Sequence, residues 1–272
     1  MNYRHAFHAG NFADCMKHAL LVSLLRALAR KPAAFRMLDT HAGIGRYDLL
    51  RGEAQRTGEW REGIARLSAA APPALADYLA LVGTDGTYPG SPMLAARLLR
   101  AQDRLSLVEL HEADHATLHA LFRRDPRVQV HRRDGWEAAR ALTPFAEKRG
   151  LVLMDPPFEQ PGEFERMTAA MAHIARHARG LIQAAWYPIK VRAPARAFHA
   201  ALREAGLRDV LACELHRREA LDASRLNGCG LVVVNPPFGF EEAARPILAA
   251  LHGALATGEG GGGWTLERLA DE

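Results

Sequence analysis

The chain has 272 residues, 49% of them hydrophobic and 24% charged, and its 35 Lys/Arg against 31 Asp/Glu leave a formal net charge of +4. That balance excludes a disordered or fibrous chain and supplies the core of one large domain, 1–272, without disulfide staples. A sequence pI of about 9.2 permits a polyanionic partner without requiring one, and the three scattered cysteines, Cys15, Cys213 and Cys229, lack CxxC spacing, which argues against a zinc cage and for a reducing compartment.

In chain order, the first helix opens at Asn11, with Asp14 three residues on in the manner of a capping box. Leu21, Leu24, Leu25 and Leu28 form an apolar stripe at helical spacing, and the stripe extended backwards lands on Lys17, His18 and Asp14. Polar groups on an inward stripe point to a first turn that faces a cavity; the alternative is a solvated, frayed helix start. The apolar run 19–25 is too short to cross a bilayer, Arg26 interrupts it, and the polar residues ahead of it do not make a signal peptide. A cytoplasmic protein without a membrane segment is expected. His5 and His8 have HxxH spacing, but no further ligand completes a set at a fitting distance along the chain, so no metal is expected.

A short strand, 35–38, then runs into Asp39 and a glycine-bearing turn, Ala42-Gly43-Ile44-Gly45. A helix-prone polar stretch, 51–82, follows and is split into two helices by Pro72-Pro73. After the turn-rich GTDGTYPGSP, Ser91-Pro92 suit the N-cap and first position of another helix. From there strands alternate with helices: LSLVELH, VQVHRRD, LVLMDPPF and GLIQAAWYPI are strand-like and each precedes a helical pattern. Such alternation means a parallel sheet covered on both faces. DVLACELHRR and GLVVVNPPF have only a loop between them, which predicts an antiparallel hairpin at the sheet edge. The tail GEGGGGW has flexible linker composition and is followed by a short end.

Seven strands, six in step and one reversed, resemble the α/β, Rossmann-like sheet of class I S-adenosylmethionine-dependent methyltransferases. Residues 39–45 resemble that family's first glycine loop, Glu109 the acid ending its second strand, Asp134 the acid after its third, and DPPF its fourth-strand motif. The resemblance implies S-adenosyl-L-methionine as cofactor. Gly43 and Gly45 would let the backbone approach its methionine part, Glu109 would accept its ribose hydroxyls, with Glu112 as a competitor, and Asp134-Gly135 would meet its adenine. His41, beside the turn, is either a further contact or an ordinary loop histidine.

Two stretches carry a PPF motif, and topology separates them. Ligands of an open α/β sheet bind at the carboxyl ends of the parallel strands. LVLMDPPF, as the fourth strand beside the first, opens at the edge that holds the glycine turn, whereas the reversed LVVVNPPF points to the opposite edge. Asp155 is therefore the candidate and Asn235 the decoy. The chemistry fits an exocyclic amine, a poor nucleophile because its lone pair is delocalised into the ring. The Asp155 carboxylate and the Pro156 carbonyl are two acceptors for its hydrogens, rigidified by consecutive prolines. Phe158 can stack on an extruded base. The bland alternative for DPPF is a rigid strand exit.

The segments MNYRHAFHAGNFADCMKH, LDTHAGIGRYD, YPGSPMLAARLL, ELH, DG and LVLMDPPFE resemble, over essentially the whole chain, the RlmJ family of bacterial 23S ribosomal RNA adenine-N6 methyltransferases. At matched positions the resemblance implies cofactor contacts at His18, His41, Ser91, Glu109, Asp134, Gly135 and Asp155, with Asp155 catalytic. On the substrate side it implies Tyr3, with Lys17 and Phe158 nearby; Phe158 stands where many relatives have tyrosine. It also implies a helical insertion, 51–88, and the inward Lys17 and His18 of the first helix point to an N-terminal segment, 1–31, folded over the cofactor pocket. Ser91 on its own merits reads as a helix cap. The expected partner is 23S rRNA, its backbone held by the insertion and by basic pairs such as Arg123-Arg124, Arg132-Arg133 and Arg217-Arg218; no obligate protein partner is evident. Rival readings are methylation of guanine-N2 in rRNA, of adenine-N6 in DNA or of a protein glutamine, and a non-catalytic binder that keeps the fold.

Overall fold

The structure is a computed structural model that describes residues 5–272. After a 3-10 turn at His5–Phe7, helix α1, Phe12–Ala29, begins at Asn11, whose side-chain oxygen accepts the amides of Ala13 and Asp14. Asp14 does not close a capping box on Asn11; its carboxylate turns back to the Gly10 amide at 3.0 Å. The inward stripe is continuous, with Asp14, Lys17 and His18 as buried as the leucines that follow them.

Strand β1, Arg36–Asp39, leads through the glycine turn into β2, Arg46–Asp48. Helices α2, Gly52–Thr57, α3, Ile64–Ala70, and α4, Ala76–Val82, come next, and then β3, Thr87–Pro89, which pairs antiparallel with β2. The stretch is thus three helices rather than two. Besides the expected break at Pro72-Pro73, a 3-10 turn at Glu59–Glu62 interrupts it where Glu59 bonds His8 and Asn11 and the Ile64 amide bonds the Gly10 carbonyl. Gly58, left-handed at φ +65°, ends α2, and tertiary anchoring to the N-terminal segment holds the turn that follows.

The chain continues with α5, Ser91–Leu98; β4, Arg104–Val108; α6, Glu112–Phe122; β5, Val128–His131; α7, Gly135–Ala141; β6, Gly150–Met154; α8, Glu163–His177; β7, Ile182–Ile189; α9, Arg192–Glu204; β8, Val210–His216; β9, Gly228–Val234; α10, Phe240–Leu255; and β10, Gly263–Ala270. The main sheet runs β10-β8-β9-β7-β6-β1-β4-β5. β5, β4, β1, β6 and β7 are mutually parallel, and β9 lies antiparallel between β7 and β8.

Side chains alternate along each strand, and the two faces bury separate cores. Met37, Leu105, Leu107, Leu151, Leu153, Leu231 and Val233 join the core under α1, α5 and α10, while Leu38, Val108, Val152, Met154, Val232 and Val234 join the core under α7, α8 and α9. Burial on both sides is why these strands read as unbroken apolar runs.

The fold class expected from the sequence holds, with eight strands instead of seven. The reversed strand β9 is not at the edge: it inserts between β7 and β8, and the edge belongs to β10, formed by the short end that follows the glycine run. Among the described residues no helix is long and apolar enough to cross a membrane, and all three cysteines are buried and free.

Candidate active site

The carboxyl ends of β4, β1 and β6 lie side by side. The register levels Asp39 with Leu107 and Leu153, so Glu109 and Asp155 each stand two residues past that level, on either side of β1. These ends, the glycine turn, the start of α7 and the first turn of α1 enclose a cavity of about 610 Å³, a volume suited to a nucleotide-sized ligand. Lys17, His18, His41, Gly43, Ser91, Glu109, Asp134, Gly135, Asp155, Pro156 and Phe158 all line it; Tyr3 lies outside the described residues. A wider groove of about 870 Å³ between α8 and α9 contains none of these residues.

Glu109 accepts the Gly43 amide at 2.9 Å and the His111 amide at 2.7 Å, so it ties the glycine turn to the end of β4. Burial raises its pKa against those two bonds. The competitor Glu112 is instead spent on Arg132 at 3.0 Å, in solvent. Gly43 has φ +60°, and a β-carbon there would fall 2.4 Å from the Tyr47 hydroxyl, so only glycine fits. Asp134 caps α7, one oxygen accepting the Glu137 amide at 2.9 Å. Gly135 packs so closely on β1's exit that a β-carbon would lie 2.3 Å from the Thr40 carbonyl oxygen and 2.8 Å from the His41 ring. His41 shares a hydrogen bond with the Thr40 hydroxyl and meets Trp136 edge-on at 5.1 Å; burial lowers its pKa to about 4, so it is neutral at pH 7.

Ser91 does not cap α5. Gly90 occupies the cap position, and the Ser91 hydroxyl, one residue late, donates to Asp39 Oδ2 at 2.7 Å. Asp39 is fully buried, and desolvation pushes its carboxyl up to about 6 against the Ser91 bond. His18 shares a 2.7 Å hydrogen bond with the Tyr88 hydroxyl, which meets that of Tyr78 at 2.9 Å; burial takes His18 down to about 3, fixing a neutral ring.

On the other side of the cavity the Lys17 ammonium pairs with Asp155 Oδ2 and, at 2.9 Å, with Asp14 Oδ1. Burial alone would drive Lys17 towards its neutral form, but the two carboxylates overcome it and raise its pKa. Burial likewise opposes Asp14, yet His5, at 2.9 Å, and Lys17 hold it well below the usual carboxylate range. The Lys17 charge also lies 6.0 Å from the Trp186 ring centroid. Phe158, just past the prolines, has φ +52°. That conformation is uncommon for a large side chain, and its ring is packed between Phe164 at 4.9 Å and Trp186 at 5.9 Å. A strained, wedged aromatic at a strand exit is consistent with a surface built to meet a planar ligand.

The second PPF motif is elsewhere. Val234 pairs with Gln183 at the amino end of β7, so Asn235 emerges at the opposite edge of the sheet. Its amide donates to the carbonyls of Arg179 at 2.6 Å and Leu181 at 2.9 Å, clamping the α8–β7 connection, and Phe238 is 98% exposed.

Several residues of the site carry no motif signal: Asp14, Glu163 and Trp186, which line the cavity, and Asp39, which is buried against the lining residue Ser91. Asp14 was visible as a polar residue on the apolar stripe, and Asp39 as the acid closing β1; Glu163 and Trp186 sit on α8 and β7 with nothing in their local pattern to mark them. Of the basic pairs, Arg132 and Arg133 bind Glu112 and Glu137, while Arg217 and Arg218 bind Glu62 and Glu259. Each of those four therefore has an acidic partner within the protein.

The sheet order and a carboxylate-lined pocket at its switch point define a class I methyltransferase. A model of the family described as ribosomal RNA large subunit methyltransferase D, RlmJ, matches residues 32–269. Two proteins named ribosomal RNA large subunit methyltransferase J are each 38% identical to this chain. The one from Haemophilus influenzae aligns over 100% of both chains, and the one from Escherichia coli K12 over 94% of both. A crystal structure of a Legionella pneumophila protein superposes with a TM-score of 0.88 at 32% identity, covering 96% of this chain and 98% of that one. The chain belongs to the RlmJ family of methyltransferases.

Proposed function

We infer that the protein transfers a methyl group from S-adenosyl-L-methionine to the exocyclic N6 amine of an adenosine in 23S ribosomal RNA, in the cytoplasm. The observation that carries this reading is the placement of Asp155-Pro156 at the carboxyl end of β6, with Asp155 lining the same cavity as Glu109 and the glycine turn. The family's name supports ribosomal RNA as the substrate class.

The pocket residues fit the donor. Glu109, at the end of β4, would accept ribose hydroxyls. The turn at Gly43, too tight for any β-carbon, would bring backbone amides to the methionine part, and the close packing of Gly135 would set Asp134 at the adenine. Lys17, His18, His41 and Ser91 complete the enclosure. When bound, S-adenosylmethionine supplies an electrophilic methyl group. The chain's own contribution is to the amine. Lys17 occupies Asp155 Oδ2, which leaves Oδ1 to accept one N6 hydrogen, while the Pro156 carbonyl accepts the other. Two acceptors draw the nitrogen towards a tetrahedral shape and free its lone pair. Phe158 and Trp186, packed edge-on against each other, would offer the base an aromatic surface once it leaves its stack. The extra proton on the methylated nitrogen is acidic and passes to Asp155 or to water. A nucleophilic substitution depends chiefly on alignment, and alignment can supply several kcal/mol.

The test is to incubate the purified protein with labelled methyl donor and total RNA from a strain lacking the enzyme, then identify the labelled nucleoside by mass spectrometry. N6-methyladenosine in large-subunit RNA is expected. Label in N2-methylguanosine, or only in added DNA, would replace this substrate with a rival.

Two further results are expected. Glu109→Ala should weaken binding of S-adenosylhomocysteine by roughly 1–3 kcal/mol, the range for a charge-assisted hydrogen bond, measured by calorimetry; unchanged affinity would move the ribose contact elsewhere. Asn235→Ala should leave turnover per folded molecule unchanged while costing about 1–3 kcal/mol of stability, because two carbonyls lose their donor. A loss of turnover would place the chemistry at the other edge.

A further inference from the structure

Glu163 is the first residue of α8, eight positions beyond Asp155, and it lines the same cavity as Asp134, Gly135 and Trp136. Only 6% of it is exposed. Its Oε2 is completely buried and has no hydrogen-bond partner among the described residues. The contacts it does make come from the Trp136 indole and from Arg166, whose nearest nitrogen is 3.7 Å from Oε1. Desolvation, aided by the nearby Asp134 charge, raises its pKa above the usual value, while Arg166 and Trp136 compensate only in part. A carboxylate at the first position of a helix gains from the helix dipole. That gain accounts for an acid here, but not for burying one of its oxygens without a donor, which is costly and in native folds calls for a specific cause. Asp134, which is exposed, caps α7 through Oδ1 and leaves Oδ2 unused by the cap.

We propose that Glu163 is a second carboxyl acceptor for the adenine amino group of the methyl donor, opposite Asp134, so that both hydrogens of that amine are held. This rests on the reading of the cavity as an S-adenosylmethionine site. An exocyclic amine is the chemical group that satisfies two acceptors at once, because it places two donors on one nitrogen in the plane of the ring. The pair therefore selects a 6-amino purine and rejects a 6-oxo purine, whose oxygen would face two carboxyl groups. Sites built to pair a polar group discriminate strongly against an analogue that leaves their own groups unpaired.

The test compares S-adenosylhomocysteine with S-inosylhomocysteine, which carries a carbonyl in place of the amine. Each is titrated by calorimetry into the wild type, Glu163→Gln and Glu163→Ala, with thermal unfolding confirming that every variant is folded. The wild type should prefer the adenosyl ligand. Glu163→Ala should bind it about tenfold more weakly while binding the inosyl ligand no worse, so the preference narrows. Glu163→Gln is nearly isosteric and keeps the test alive if the alanine variant does not fold. Its amide can turn an N–H towards the carbonyl, so it should gain affinity for the inosyl ligand. If both ligands weaken equally in the variants, Glu163 only supports the fold and the proposal is overturned. Unchanged discrimination in both variants overturns it as well. A wild type that binds neither ligand would instead remove the donor reading on which the proposal stands.

Discussion

Asp155→Ala is expected to slow methyl transfer to adenosine by on the order of 10²–10³-fold at saturating substrates, the scale for losing one preorganised group at the reacting centre. The residual rate should come from the Pro156 carbonyl and from positioning. The variant should remain folded, because Lys17 keeps Asp14 at 2.9 Å as a counter-charge. Single-turnover kinetics with an oligonucleotide substrate would separate the chemical step from binding. The expected signature is a fall in the turnover step with affinity for S-adenosylhomocysteine nearly retained, because Glu109, Asp134 and the glycine turn are untouched. A rate like that of the wild type would end the assignment of Asp155. A folded variant that loses donor binding, and with it activity, would make Asp155 a cofactor contact and leave the amine's acceptor unassigned.

What could be read in advance follows from where the information resides. β1, the glycine turn, β4 and β6 were legible because each strand is buried on both faces and ends in a distinctive polar residue. Placing Asp155 and Asn235 at opposite edges of the sheet needed only strand direction, and the register of β9 against β7 puts Asn235 at the edge away from the glycine turn. The polar start of α1 was legible as a break in an apolar stripe. Contacts between distant parts of the chain were not. Ser91 looks like a helix cap because Ser-Pro commonly opens helices, yet its hydroxyl serves Asp39, 52 residues earlier. α10 contains Pro246, a residue that ordinarily argues against a helix interior. The strand β10 follows a glycine run and has a largely exposed face, so neither apolarity nor alternation marks it; pairing with β8 forms it. The unpaired oxygen of Glu163 is likewise a property of the packed molecule, invisible in a local window.

Lys17→Met should cost about 3–5 kcal/mol of stability at neutral pH, the usual penalty for removing one member of a buried ion pair and stranding its partners. Lys17 is 3% exposed and lies between Asp14 and Asp155, so a methionine would fill much of its volume while leaving two carboxylates without their shared cation. The deficit should depend on pH in a definite sense. Asp14 has a folded pKa below its unfolded value, so its stabilising contribution is present above the ordinary carboxylate pKa and is lost as pH falls through the lower, folded one. In the variant burial is opposed by His5 and the Gly10 amide without the Lys17 charge, and part of that contribution disappears at neutral pH. At low pH, where carboxylates are protonated in both proteins, the wild type instead carries a buried ammonium without counter-charge. The stability gap between the two should therefore shrink as pH drops below about 4, a trend that denaturant unfolding at a series of pH values would reveal. A gap that is constant with pH would mean that Lys17 contributes packing rather than charge. Activity should fall as well, since Lys17 is what occupies Asp155 Oδ2, and Lys17→Arg, which restores a cation but not a compact one, should recover stability more fully than turnover.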